Sequence, residues 1–226
     1  MEPELPSDSE DSRILQAARE LCHQLNLENL SPEKVSWQDQ YSTQGRWSKD
    51  KRGNPIGRYV TPHFPLFFQR TLVLRPVMQG RLASEEWKPL LVSSLIFYGQ
   101  LRSQVTRRSA LVFAPMLVLV AALVPGLLIR NSIFNDPVVF TLTALVIATA
   151  VGGVYSSLLL SRKFMLLADR KASEQFGSQA FLKVLQKIQS LEQSDEQEDK
   201  MSAWAWTEYG DAPSIEKRIR NLQDFS

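Results

Sequence analysis

Histidine and cysteine are scarce in this chain. Its 226 residues hold two histidines, His23 and His63, and one cysteine, Cys22. A single cysteine excludes an intrachain disulfide framework and fits a reducing compartment. The two histidines leave little from which to build an imidazole-based catalytic centre. Cys22 and His23 are adjacent on a predicted helix, so they point about 100° apart and make a poor nucleophile–base dyad. No glycine-rich phosphate loop, CxxC pair or haem motif is present. A surplus of either charge is lacking too: 26 basic residues face 24 acidic ones, and no bulk field points to nucleic acid. The opening Met1-Glu2-Pro3-Glu4 is acidic where a secretory signal or transit peptide would be basic, so targeting is expected to lie in internal apolar segments.

The middle of the chain is what stands out. Ser109–Ile129 is a run of 21 residues without a charge, and Pro137–Ser161 is a second of 25. At about 1.5 Å per residue each can cross a hydrocarbon layer about 30 Å thick. The short polar link Arg130–Asp136 makes them a helical hairpin, because only a self-satisfied backbone can span lipid. Two buried core helices are the alternative, but a soluble domain this small could not cover both. Arg102, Arg107 and Arg108 precede the first run; Arg162, Lys163, Arg170 and Lys171 follow the second; the link offers only Arg130 against Asp136. Both termini are therefore expected on the cytoplasmic side, or its stromal or matrix equivalent, of a bacterial-type inner membrane or a thylakoid or other organelle membrane. Pro115 and Pro125-Gly126 predict bends in the first helix. Ala148, Gly152, Gly153 and Ser157 give the second a small-residue face, whose expected partner is the first.

The flanks read as a series of further segments. Residues 1–11 are acidic, rich in Pro and Ser, and expected to be disordered. Ile14, Leu15, Ala18, Leu21, Cys22 and Leu25 predict an amphipathic helix ending near Asn26. Val35–Trp37 and Thr71–Leu74 predict strands, separated by a polar loop from Gln38 to Gly57. That loop's cluster of Arg46, Lys49, Lys51, Arg52 and Arg58, with Trp47 and Tyr59, suits either anionic headgroups or plain solvation. Ser84-Glu85-Glu86 predicts a serine-capped helix with an apolar face of Trp87, Leu90, Leu91, Leu95, Tyr98 and Leu101. Beyond the hairpin one helix is expected from about Arg162 to Leu191, with Ala172, Phe176, Ala180, Phe181, Val184, Leu185 and Ile188 as its buried stripe. An acidic loop from Gln193 to Lys200 and an aromatic stretch at Trp204, Trp206 and Tyr209 follow. Pro213 is expected in the first turn of a last helix, Ser214–Leu222.

Three local patterns then carry a resemblance. Gly80-Arg81-Leu82-Ala83-Ser84-Glu85-Glu86-Trp87-Lys88-Pro89-Leu90-Leu91-Val92 runs into Ser93-Ser94-Leu95-Ile96-Phe97 before the hairpin. Arg162-Lys163-Phe164-Met165-Leu166-Leu167-Ala168-Asp169-Arg170-Lys171-Ala172 follows it. Asp211-Ala212-Pro213-Ser214-Ile215-Glu216-Lys217-Arg218-Ile219-Arg220-Asn221-Leu222 lies near the end. In their order and placement around the hairpin these resemble the HtpX-type membrane zinc metallopeptidases, over roughly residues 14–224. The resemblance implies a mainly α fold with a small β element: a zincin-like metallopeptidase-type domain interrupted by a two-helix transmembrane hairpin. The implied division is a disordered start at 1–11, an N-terminal half-domain at 12–108, the hairpin at 109–161 and a helical C-terminal half-domain at 162–226.

The departures from the family pattern decide the expected function. In the family, two histidines one helical turn apart share a zinc with a glutamate between them as general base. Here those positions are Ser93, Phe97 and Ser94. The family's third ligand, a glutamate, is Met165, and the histidine before the last helix is Ala212. Hydroxyl and thioether groups do not hold zinc in such a site. Asp169, which supports the site in the family, is retained, and its plainer role is to cap or to bridge to a basic neighbour. The expectation is therefore no catalytic residue, no metal and no cofactor: a degenerate cleft packed by Phe97 and Met165, on a membrane-anchored pseudopeptidase that binds protein partners as a scaffold, assembly or quality-control factor. The alternatives are an accessory subunit of a larger membrane complex and a residual or repurposed hydrolase. The expected partners are the bilayer and a protein or complex, and not nucleic acid.

Overall fold

A computed structural model of the chain describes residues 9–38, 40–41, 59–60, 63–68, 70–130, 137–195 and 212–225. The first eight residues, the basic cluster between 42 and 58, the link 131–136 and the aromatic stretch 204–209 lie outside the described residues. The described residues are mostly helical, with a small three-stranded sheet and a two-stranded one. The chain divides into two units: residues 1–101 with 164–226, and residues 102–163 between them.

The first unit begins with α1 (Glu10–Gln24), capped by Ser9, whose hydroxyl accepts from the Ser12 amide at 3.3 Å. The helix thus starts earlier than the composition suggests, and Glu10 and Asp11 belong to it: acids in a first turn complement the amide dipoles there. Asp11 also accepts from the Trp37 indole at 2.8 Å. Asn26 at φ 55° ends the turn after the helix, as expected. Strands β1 (Lys34–Trp37), β4 (Leu66–Phe68) and β5 (Thr71–Leu74) form a three-stranded sheet, and β2 (Gln40–Tyr41) pairs with β3 (Tyr59–Val60). In the larger sheet β5 is central, parallel to β1 and antiparallel to β4, with Val35 opposite Leu72 and Leu66 opposite Val73. β4 escaped sequence reading because three residues between Pro65 and a turn at Arg70, φ 59°, carry almost no periodicity.

Helix α2 (Ser84–Ile96) runs through the middle of this unit and packs against α1, β4 and α5 (Ser178–Asp195). Trp87 and every residue from Pro89 to Ile96 are buried, as befits a helix covered on all sides. Its cap is Ala83, not Ser84, and alanine has no side-chain acceptor. The terminus is secured instead by Glu86, whose carboxylate accepts from the Ala83 amide at 2.6 Å and from Lys187 of α5 at 2.7 Å. Burial raises this carboxyl's pKa, but the bonds from Lys187 and Ala83 outweigh it and hold the group below its ordinary value.

One π-helical turn, Phe97–Leu101, joins α2 to α3 (Arg102–Arg130). The expected single helix after the hairpin is two. α4 (Pro137–Phe176) stops at Gly177, which adopts φ 83°, and α5 begins at Ser178. Left-handed glycine is a common way to end a helix. The stripe expected across the break is split accordingly: Phe181, Val184, Leu185 and Ile188 are buried, while Ala180 is exposed. The last helix, α6 (Ile215–Gln223), is capped by Ser214 accepting from the Lys217 amide, so Pro213 precedes the cap instead of opening the first turn.

The second unit, described by itself, comprises α3 and the part of α4 up to Lys163. Pro115 lies inside α3 without ending it. The helical stretch from Ser84 to Ala121 and α4 are both long and apolar enough to cross a membrane. Leu111, Leu117, Val118, Phe140, Ile147 and Val151 are all exposed. Gly153 meets the Phe113 ring so closely that an added Cβ would stand 2.7 Å from Cε1, so the expected face of α4 touches the first apolar helix at Gly153; nothing lies within 4 Å of such an atom at Gly152.

Candidate functional site

The positions singled out by the resemblance come from four separate stretches of the first unit. Ser93 and Ser94 lie on α2 and Phe97 opens the π turn. Met165 and Asp169 lie on the last turns of α4, and Ala212 precedes α6. All six are buried: Ser93, Ser94 and Asp169 completely, and the other three to within 3–4%.

The focus of the site is Asp169. Its Oδ1 accepts from the Ser93 hydroxyl at 2.5 Å and from Arg218 Nη2 at 2.8 Å, while Oδ2 accepts from Arg218 Nε at 2.8 Å. Arg218 is 2% exposed. This bidentate pairing matches the flat fork of a guanidinium to the flat carboxylate, the strongest form of charged hydrogen bond. Phe64 and Phe181 stack about the guanidinium, their ring centres 5.3 and 5.8 Å from its carbon. Phe64 in turn meets Phe97 edge-on at 5.8 Å. Phe97 therefore fills its position as one of an aromatic group, next to Phe64 and Tyr98.

His63 completes the wall. Its Nε2 accepts from Arg75 Nη1 at 2.9 Å, since arginine can only donate, and its carbonyl accepts from Arg218 Nη1 at 3.5 Å. Burial first, then the charges of Arg75 and Arg218, lower its pKa from 6.5 to about 3. It is a neutral acceptor at physiological pH. Next to the site, Arg170 Nε donates to Asn221 Oδ1 at 2.9 Å, and Asn221 Nδ2 donates to the Leu166 carbonyl at 2.9 Å. These bonds dock α6 on α4 independently of Arg218.

The residues present do not fit zinc. Ser93 spends its proton on Asp169, Asp169 spends both oxygens on Arg218 and Ser93, and neither a phenyl ring nor a buried thioether supplies the donors such a site needs. The Ser94 hydroxyl has no hydrogen-bond partner among the described residues. Of the two roles open to Asp169, the structure places it in the bridge to a basic neighbour. That neighbour, Arg218, stands in the last of the three motifs, where its spacing alone does not pair it with Asp169. Cys22 and His23 are not brought together. The thiol is fully buried and pushed up to about 11 by burial and by Glu28, while the imidazole is exposed. Comparison with protein-family models, curated proteins and solved structures finds no match for the chain.

Proposed function

We propose that the protein is a membrane-anchored pseudopeptidase, a scaffold that holds protein partners in assembly or quality control and cuts nothing. The observation that carries this reading is the Ser93–Asp169–Arg218 clamp. At Ser93, one position where the HtpX-type pattern calls for a metal ligand, this chain has a hydroxyl tied to a buried charge pair beside an aromatic group. A catalytic zinc site needs three nitrogen, sulfur or carboxylate ligands, and at those positions Ser93, Phe97 and Met165 offer a hydroxyl, a phenyl ring and a thioether. The exposed apolar side chains of α3 and α4 support a two-span anchor, since large exposed apolar surface needs a covering. The zincin-like ancestry of the first unit is part of the same proposal.

The test is made on protein purified from membranes in mild detergent. Elemental analysis is expected to find well under one zinc per chain, and casein-like and membrane-protein substrates are expected to remain intact. Cross-linking in native membranes followed by mass spectrometry identifies the clients. About one zinc per chain together with peptide cleavage would overturn the reading.

A further inference from the structure

The second unit carries an unusual distribution of charge. From Arg102 to Lys163 its only acid is Asp136, which falls between Arg130 and Pro137 in sequence. Arg102, Arg107 and Arg108 stand in the first two turns of α3, and Arg162 and Lys163 in α4, 14 and 13 residues before its end at Phe176. Arg102, Arg107, Arg108 and Lys163 are exposed, and Arg162 is half-buried.

The contact between Phe113 and Gly153 sets the register of the two helices. Counted from that contact at about 1.5 Å per residue, Arg107 and Arg108 lie about 8–9 Å along α3, whereas Arg102 lies about 16 Å away and Arg162 and Lys163 about 14–15 Å along α4. In the other direction Arg130 and Pro137 lie about 24–26 Å away. The inner pair of arginines is thus about 33 Å from the far ends, close to the hydrocarbon thickness of about 30 Å. The outer three sit about 6 Å beyond, within the headgroup layer. Positive charge therefore forms two tiers, one at the edge of the hydrocarbon and one among the phosphates.

We propose that this two-tiered basic collar binds the headgroups of anionic phospholipids and gathers such lipids around the hairpin. The inference rests on the membrane reading above and adds its lipid selectivity. Charge complementarity supplies the partner: in sequence the unit's one acid, Asp136, is well separated from these five basic residues, and the anions of an anionic bilayer are lipid phosphates. Each basic side chain near an anionic membrane surface favours partitioning by roughly five-fold, and ions screen that attraction within about 10 Å.

The full chain is incorporated into nanodiscs from an equal mixture of phosphatidylcholine and phosphatidylglycerol, and the retained lipid is quantified by mass spectrometry. Phosphatidylglycerol is expected at about two-fold or more over its bulk share in low salt, and less in 0.5 M salt. The variant combining Arg107→Gln, Arg108→Gln and Lys163→Gln is expected to return to the bulk ratio. The charge-keeping variant Arg107→Lys with Arg108→Lys is expected to stay enriched, which separates lost charge from lost folding. Parent protein at the bulk ratio, or a glutamine variant as enriched as the parent, would overturn the collar alone. A chain that does not enter the discs would overturn the membrane reading and the collar with it.

Discussion

Arg218 sits where an apolar residue is due. In α6 the buried positions are Ile215, Arg218, Ile219 and Leu222, the i, i+3, i+4, i+7 pattern of a core-facing stripe. Asp169 holds the matching place among Met165, Ala168 and Ala172 on α4. Two opposite charges, each on the apolar stripe of its own helix, were the legible sign that they meet; the motif comparison drew attention to missing ligands and away from this pair. A buried pair contributes little net stability, but removing one partner strands the other. Arg218→Met and Asp169→Leu should each cost about 3–5 kcal/mol, and the double variant should cost less than either. Denaturant unfolding in detergent measures the cycle, and additive losses would mean the charges are not coupled. His63 supplies a second expectation. Its pKa is about 3 in the fold against 6.5 in the unfolded chain, so the unfolded state binds the proton first as pH falls. Its contribution is therefore whole above about pH 6.5 and shrinks as pH falls from there toward 3, by at most about 1.4 kcal/mol per pH unit. Unfolding measured at pH 7, 6 and 5 should show this slope, and His63→Gln should flatten it.

Among the elements, hydropathy located the two apolar helices, but α3 begins seven residues before Ser109 and α4 runs fifteen residues past Ser161. Boundaries set by backbone geometry were less legible. Gly177 looks like any residue in a stripe that resumes beyond it, and only its φ of 83° shows the break. Pro115 lies inside α3, which continues through it. The π turn at Phe97–Leu101 has no sequence signature, since its apolar residues suit an α-helix equally well. Gly99 in that turn faces the Leu27 side chain closely enough that any Cβ would displace it. Gly153 is the clearest case of a small residue required by a neighbour. Gly153→Ile should drive the helix off the Phe113 ring and lower the thermal midpoint in detergent by several degrees, an overpacking cost of about 1–3 kcal/mol. Gly152→Ala, with open space around it, should leave the midpoint unchanged or slightly raised. Equal loss at both positions would mean that glycine here serves the helix and not the contact.

For the whole molecule, the proposed anchor makes a definite topological expectation. Arginine and lysine crowd one end of the hairpin, so tags at the two termini should share protection from added protease in sealed vesicles. Opposite accessibility would mean that one of the two helices does not cross. The division of the chain also has a bearing on its synthesis. The first unit is made of two stretches, residues 1–101 and 164–226, with the apolar helices between them. Ser93 leaves the ribosome well before Asp169, and Arg218 follows last of the three. Until α6 is made, the core of the first unit holds a carboxylate without its counter-ion, which is costly to bury. The ribosome must therefore deliver both apolar helices before this domain can close. Completion of the charge clamp requires that both apolar helices have already been made, so the first unit closes only after the segment that interrupts it.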